Sequence, residues 1–326
     1  MNVLFLIGNG FDINVGLKTR FSDAIDTYLK EQNNDPRIQK FKRDISRDFE
    51  HWSDFEKQLG IYTEEFTPQN IDDYYFCIRN FRESLVKHLK NEESRIDYNM
   101  CKNDIISIFS RSIANFYERL TPVFENDIKS IIYKGEVASY NFITFNYTNV
   151  LDKCIKILNE DTNLNNEDIY IDDILHIHGT TEEHVILGVD NVGQIRNKEL
   201  LSDEKINRAI IKPFITKKLN NLNKGVSLIE NSHIICIFGL SLGETDKSWW
   251  QTIGTCLKNK DVHLVIFNKV PEFNQIHPEI SIENRDKVID KFLLYADITH
   301  YMQILPKIKI NMQIEFILVL IPICLT

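Results

Sequence analysis

Short apolar runs separated by longer amphipathic stretches recur along the chain, a pattern typical of a parallel sheet covered by helices. The first run, residues 3–7, suits a strand buried on both faces. Further runs predict strands at residues 140–145, 169–177, 185–189, 233–238 and 262–267, the last of these being the final strand of the sheet. The sequence therefore predicts an α/β fold with a parallel, Rossmann-like sheet flanked by helices.

The region between the first two strands has few glycines, many charges and aromatic residues at helical spacing. Within it, Trp52, Phe55, Glu56 and Leu59 are predicted to lie on one helical face. The Glu56 carboxylate is either a site acid or, as we favour, a hydrogen-bond partner at a buried edge. The predicted units are a nucleotide-binding α/β domain over residues 1–18 and 135–300, a helical insertion over 19–134 and an apolar C-terminal tail over 301–326.

Polar motifs follow four of the predicted strands. They are Gly8-Asn-Gly-Phe-Asp12, Thr144-Phe-Asn-Tyr-Thr148, His176-Ile-His-Gly179, and Gly239-Leu-Ser-Leu-Gly243 with Asp246. The carboxyl ends of parallel strands meet at one edge of a sheet, where open α/β sheets bind ligands. We therefore expect the four motifs to form one site.

The glycine turn Gly8-Asn9-Gly10 is the first candidate for ligand binding. A sharp turn with no Cβ atom over it leaves N–H groups open to a phosphate. The third glycine of the dinucleotide fingerprint is absent, because position 13 is Ile and Gly16 is displaced. A tight turn without a ligand is the alternative interpretation.

Two histidines end the third predicted strand. His176 and His178 are two residues apart, so a strand would direct both to the same face. No acidic or thiol partner lies nearby at metal-ligand spacing, so a role as general base or hydrogen-bonding group is favoured over metal ligation. No metal is predicted.

Two other polar groups are given structural roles. Lys212, Lys217 and Lys218 fall in a polar helical stretch and are predicted to form a solvated face. Thr245 or Asp246 is expected to cap the helix that follows.

Composition narrows the function classes. A net charge of -9 disfavours a broad nucleic-acid-binding surface. The six cysteines form no C-x-x-C pair and the apolar start lacks a basic segment, so a cytoplasmic protein is expected. Residues 314–325 are almost wholly apolar but shorter than the ~20 residues of a membrane helix, and no membrane partner is expected.

The motifs resemble the AbiH family of bacterial phage abortive infection proteins. The most family-like stretches are Leu6-Ile-Gly-Asn-Gly-Phe-Asp12 with Gly16-Leu-Lys-Thr19, and Trp52-Ser-Asp-Phe-Glu56. The resemblance spans roughly residues 1–257. That family is in turn similar to the sirtuin-type NAD-binding fold, so the resemblance implies a sirtuin-like domain with NAD or a related nucleotide as ligand.

The sirtuin resemblance also implies roles for individual residues. Asn146 would position the ribose or a water, and His178 would be a base toward the ribose hydroxyls. The implied cofactor-binding residues are Gly8, Asn9, Gly10, then Phe11 and Asp12 in a flexible segment, with Thr144, Tyr147, Gly179, Gly239, Ser241, Leu242 and Asp246. A four-cysteine zinc site and a peptide-recognition segment are not evident, which disfavours protein deacylation.

The resulting prediction is a phage-defence protein that hydrolyses the nicotinamide–ribose bond of NAD. The alternatives are a non-catalytic nucleotide sensor whose helical region contacts a partner, and a nuclease effector, which lacks a clear clustered acidic metal site. The predicted partners are a small-molecule nucleotide, a phage-derived or host protein as trigger, and a second copy of the chain. Nucleic acid is not the first choice.

Overall fold

The centre of the protein is a parallel six-stranded sheet. The computed structural model describes residues 1–118, 120–132, 138–160, 169–267, 278–299 and 302–311. The strands are β1 (Asn2–Ile7), β2 (Ala138–Thr144), β3 (Ile169–His176), β4 (Ile234–Phe238), β5 (His263–Phe267) and β6 (Ile308–Asn311), in the order β3-β2-β1-β4-β5-β6 with every pair parallel. The predicted α/β class with a parallel sheet is confirmed.

Helices cover the sheet and fill the long segment between β1 and β2. They are α1 (Gly10–Asn14), α2 (Phe21–Lys30), α3 (Pro36–Arg47), α4 (Phe49–Trp52), α5 (Phe55–Tyr62), α6 (Ile71–Glu93), α7 (Lys102–Asp104), α8 (Ser110–Ala114), α9 (Pro122–Ile132), α10 (Val150–Asn159), α11 (Glu204–Ile210), α12 (Lys212–Lys218), α13 (Asn221–Glu230), α14 (Lys247–Asn259) and α15 (Pro278–Tyr295). Among the residues described, no helix combines the length and apolar character needed to span a membrane.

β1 is the central strand, and its burial explains its continuous apolar run. Val3, Phe5 and Ile7 belong to a core shared with α8, α9 and α10, whereas Leu4 belongs to a second core shared with α13, α14 and α15. A strand covered on both faces needs apolar side chains at every position. The end of β1 is level with the ends of its neighbours, because Ile7 pairs with the last residues of both β2 and β4.

The helices between β1 and β2 divide their packing between two cores. Helices α2 to α6 form a third core with residues 187–211, whereas α8 and α9 pack in the core under β1. The predicted division into three units stays a prediction.

Three local expectations are wrong. Residues 185–189 do not form a strand: Val189 makes a single bridge to Ile211, and Gly188 has a φ of 155°, outside the extended region. The helix predicted through residues 52–59 is broken, because α4 ends at Trp52 and α5 begins at Phe55. The strand ending at Phe267 is not the last, since β6 follows it within the predicted tail; residues 312–326 lie outside the described residues.

Candidate functional site

A cavity of about 590 Å³ lies at the carboxyl ends of β1, β2 and β4. This volume is within the usual range for small-molecule sites, about 300–1,000 Å³. Residues of α2, α5 and α6 close it from the helical side. The predicted site residues that line the cavity are Asn9, Gly10, Asp12, Asn146, Tyr147, His178, Gly239, Ser241 and Asp246.

The other selected residues lie outside the cavity wall. Phe11 and Leu242 are buried in hydrophobic cores. The Thr144 hydroxyl accepts a hydrogen bond from the Asn146 backbone N–H at 3.1 Å, so it holds the turn that carries Asn146. Gly8 and Gly179 serve close backbone packing; a Cβ on Gly179 would lie 2.2 Å from a neighbouring carbonyl oxygen.

The glycine turn after β1 is packed against the turn after β4. The Gly8 N–H donates to the Phe238 carbonyl at 2.9 Å, and the Gly10 N–H donates to the Gly239 carbonyl at 2.8 Å. A Cβ on Gly10 would lie 2.5 Å from the Gly239 Cα, which explains the requirement for glycine. The expectation of N–H groups open to a phosphate is therefore wrong for Gly8 and Gly10, because backbone carbonyls already accept hydrogen bonds from both.

Asp12 lies at the centre of the first polar cluster. It belongs to α1 and is 1% exposed, so its expected place in a flexible segment is also wrong. The Asn146 amide donates to Asp12 Oδ1 at 3.1 Å, and the Thr148 hydroxyl donates to Oδ2 at 2.6 Å. Burial raises the pKa of Asp12 to about 7, against the lowering effect of the Thr148 hydrogen bond, and the charge of Glu93 adds to the rise. A carboxyl group with this pKa can exchange a proton near neutral pH.

Asn146, which lines the cavity, carries a buried acceptor that no described residue satisfies. Its side chain is buried, and its Oδ1 has no hydrogen-bond partner within the described part of the chain. An unsatisfied buried acceptor costs about 1–3 kcal/mol. A ligand hydroxyl or a water in the cavity would remove this cost.

A second polar cluster is built on a buried cation. Lys212 Nζ donates to Glu56 Oε2 and to Asp246 Oδ1, both at 2.8 Å, and its side chain is 4% exposed. The expectation of a solvated face is wrong for Lys212, whereas Lys217 and Lys218 are exposed. The signal that was missed is local, because Lys212 stands alone in the apolar stretch Ile210-Ile-Lys-Pro-Phe214.

The members of this cluster shift one another's pKa values. Burial disfavours the charged form of Lys212, but the Asp246 and Glu56 carboxylates together raise its pKa. Burial raises the pKa of Glu56, and the Lys212 ammonium works against this rise. Glu56 also accepts a hydrogen bond from the Gly188 N–H at 3.2 Å, which agrees with its expected role as a buried partner. Asp246 is the residue before α14, as expected for a cap, but its side chain makes no capping hydrogen bond.

The two histidines have different surroundings. β3 ends at His176, whose ring nitrogens lie 3.2 Å from the Asn146 carbonyl oxygen and 2.8 Å from Asp152 Oδ2. His178 lines the cavity, with Nε2 3.5 Å from Asp246 Oδ1. Burial and the Lys212 charge lower the pKa of His178 well below its ordinary value, so the ring is neutral. Within the described ranges, no group of three His, Cys, Asp or Glu side chains is placed to hold a metal ion.

Comparison with known proteins identifies the family. No curated protein matches the chain. A family model described as "Bacteriophage abortive infection AbiH" matches residues 4–268. That match contains every residue lining the cavity and most of the chain. The chain therefore belongs to the AbiH family of bacteriophage abortive infection proteins.

Proposed function

We propose that this protein binds NAD or a related nucleotide in the cavity and hydrolyses its nicotinamide–ribose bond as its contribution to phage abortive infection. The observation that carries the proposal is the pairing of Asp12 with Asn146. The Asp12 carboxyl has a pKa of about 7, and the amide that holds it leaves its own oxygen free for a ligand.

The sheet topology supports a dinucleotide as the ligand. The order β3-β2-β1-β4-β5-β6 is that of doubly wound dinucleotide-binding sheets, which bind at the point where the strand order reverses. In this chain that point lies between β1 and β4, where the cavity is. The sirtuin-like interpretation, with the helices between β1 and β2 as an insertion, belongs to this proposal.

The charges that line the cavity suit the reacting half of NAD. Asp12, Asp54, Glu56 and Asp246 line it, together with the exposed cation Arg20. The pyridinium ring of NAD is positive, and positive charge develops on the ribose as the bond breaks. Fixed negative groups stabilise such a transition state. Arg20 is the group suited to the diphosphate.

Nicotinamide leaves as a neutral molecule, so the reaction needs no acid. The C–N bond breaks with its electron pair going to nicotinamide, and a water oxygen bonds to the ribose carbon. Asn146 Oδ1 accepts a hydrogen bond from this water or from a ribose hydroxyl, and Asp12 takes the proton of the water. We assign His178 a neutral hydrogen-bonding role, because its lowered pKa makes it a poor proton acceptor.

Nicotinamide release from NAD by the purified full chain tests the proposal, with and without extract of phage-infected cells. Asp12→Asn is expected to lose about 10²–10⁴-fold in rate, the usual effect of losing a general base. Asn146→Ala is expected to lower the rate as well, because it removes the acceptor that positions the water and the amide that holds Asp12. Asn141→Ala is the control, since Asn141 is a buried asparagine of β2 outside the cavity lining. Equal rates in all variants, or no release by the wild type in either condition, would refute hydrolysis. Saturable NAD binding without release would favour the sensor.

A further inference from the structure

A second cavity, a groove of about 400 Å³, lies between α6 and α11, and its side chains play no part in the proposed reaction. Tyr75, Arg79 and Arg82 recur at helical spacing along one face of α6. Lys205 and Arg208 line the groove from α11. The groove is therefore cationic on a chain whose net charge is -9.

Part of this positive charge is not neutralised by the protein. Lys205 pairs with Asp72 at 3.1 Å, and Arg208 pairs with Glu204 at 2.9 Å. Arg82 Nε is buried and has no hydrogen-bond partner among the described residues. A buried guanidinium N–H without an acceptor in the protein is suited to an anion that can accept parallel hydrogen bonds from the group.

A second buried donor without a partner lies in the same groove. Tyr75 is 7% exposed, and its hydroxyl is covered but bonds to no described residue. Leaving a buried hydroxyl unsatisfied is unfavourable, and so is leaving a buried guanidinium N–H unsatisfied. Both groups are donors, so one acceptor-rich ligand would satisfy them together.

We propose that the groove between α6 and α11 binds a small phosphate-bearing ligand whose oxygens accept hydrogen bonds from Arg82 and the Tyr75 hydroxyl. Phosphate oxygens match the planar donor geometry of arginine. The adjacent Ile78 and Ala209 side chains give the groove an apolar wall for the rest of such a ligand. The groove volume suits a ligand no larger than a mononucleotide. This inference does not depend on NAD hydrolysis.

Isothermal titration of the full chain with inorganic pyrophosphate and with AMP tests the site. The wild type is expected to bind at least one of them saturably, and the comparison distinguishes an inorganic from an organic phosphate. Arg82→Gln is expected to weaken binding about ten- to hundredfold, the usual effect of losing a charge-assisted hydrogen bond. Tyr75→Phe removes only an unpartnered hydroxyl, so it should weaken binding while the fold is kept.

Two controls separate the groove from general electrostatics and from the first cavity. Arg47 is a helical arginine outside the groove, exposed and paired with Asp44 at 3.6 Å, so Arg47→Gln removes one positive charge elsewhere and should bind like the wild type. Asn146→Ala should also bind normally. The proposal is overturned if neither probe binds, if Arg82→Gln and Tyr75→Phe bind like the wild type, or if Asn146→Ala abolishes binding.

Discussion

Replacement of Lys212 by methionine tests whether the buried cation joins the helical region to the sheet edge. Glu56 belongs to α5, and Asp246 precedes α14, so the Lys212 ammonium bonds two distant parts of the chain. Methionine fills similar space but carries no charge. The two carboxylates would then remain buried without their common partner.

The expected loss is large for a single substitution. The side chains of Lys212, Glu56 and Asp246 are 4%, 10% and 14% exposed, so solvent screens this cluster weakly. Removing one partner of a buried ion pair typically costs about 3–5 kcal/mol. Lys40 is a matched control, because it also lies between two acids, Asp44 at 3.5 Å and Glu65 at 3.3 Å, but is 50% exposed. Lys40→Met should cost about 1 kcal/mol or less.

Urea denaturation of both variants and the wild type measures these free energies of unfolding. The difference in unfolding free energy between the wild type and Lys212→Met should be smaller at about pH 5 than at neutral pH. The pKa of Glu56 already lies above its unfolded value and rises further without the opposing cation, so the fold holds a proton that the unfolded chain releases. That proton stabilises the variant as the pH falls. The reasoning fails if Lys212→Met loses no more unfolding free energy than Lys40→Met, or if its loss relative to the wild type is as large at the lower pH as at neutral pH.

Three further predictions concern stability and reactivity. As the pH rises from about 4 to about 8, Asp12→Asn should become more stable relative to the wild type, on the order of a few kcal/mol in paired urea curves. The reason is that folded Asp12, with a pKa of about 7, holds a proton that the unfolded form, with a pKa of 3.8, releases. Parallel pH profiles of the two proteins would contradict this. Gly10→Ala should cost about 1–3 kcal/mol of unfolding free energy, whereas Gly243→Ala, whose Cβ would have neighbours no closer than 3.5 Å, should cost less. Thiol reagents should label the buried cysteines slowly in the folded protein and rapidly once it is unfolded, as measured by peptide mass mapping. These cysteines are Cys77, Cys101, Cys154, Cys236 and Cys256.

Burial explains which strands could be predicted. The runs that became β1, β4 and β5 are apolar at nearly every position because helices or loops cover both faces of those strands. β6 has Lys309 in its centre, so its sequence does not read as a buried strand. The lysine is nevertheless buried, since its Nζ lies 3.9 Å over the Phe124 ring and 3.3 Å from Asp127. Burial by contacts that are distant in sequence cannot be predicted from the local pattern of apolar and polar residues.

Only those site residues that lie next to a predicted strand in the sequence could be predicted. Polar residues at strand ends, such as Asn146 and His178, could be selected from their position after an apolar run. The buried position of Lys212 has a local signal, but its partners do not, because Glu56 is 156 residues away and Asp246 is 34 residues away. The three residues come together only when the third core packs against the sheet edge.

In the structure, the side chains of Asp12 and Asn146 are better placed for chemistry than the backbone of the glycine turn. Gly8 and Gly10 use their N–H groups to hold the turns after β1 and β4 together, so they shape the floor of the cavity. The Asn146 amide N–H donates to Asp12, and the amide oxygen has no hydrogen-bond partner among the described residues. In the proposed reaction, one residue would therefore both position the carboxyl group and offer an acceptor to the ligand. Exchange of Asn146 should impair both functions, whereas exchange of either glycine should act through the packing of the turns.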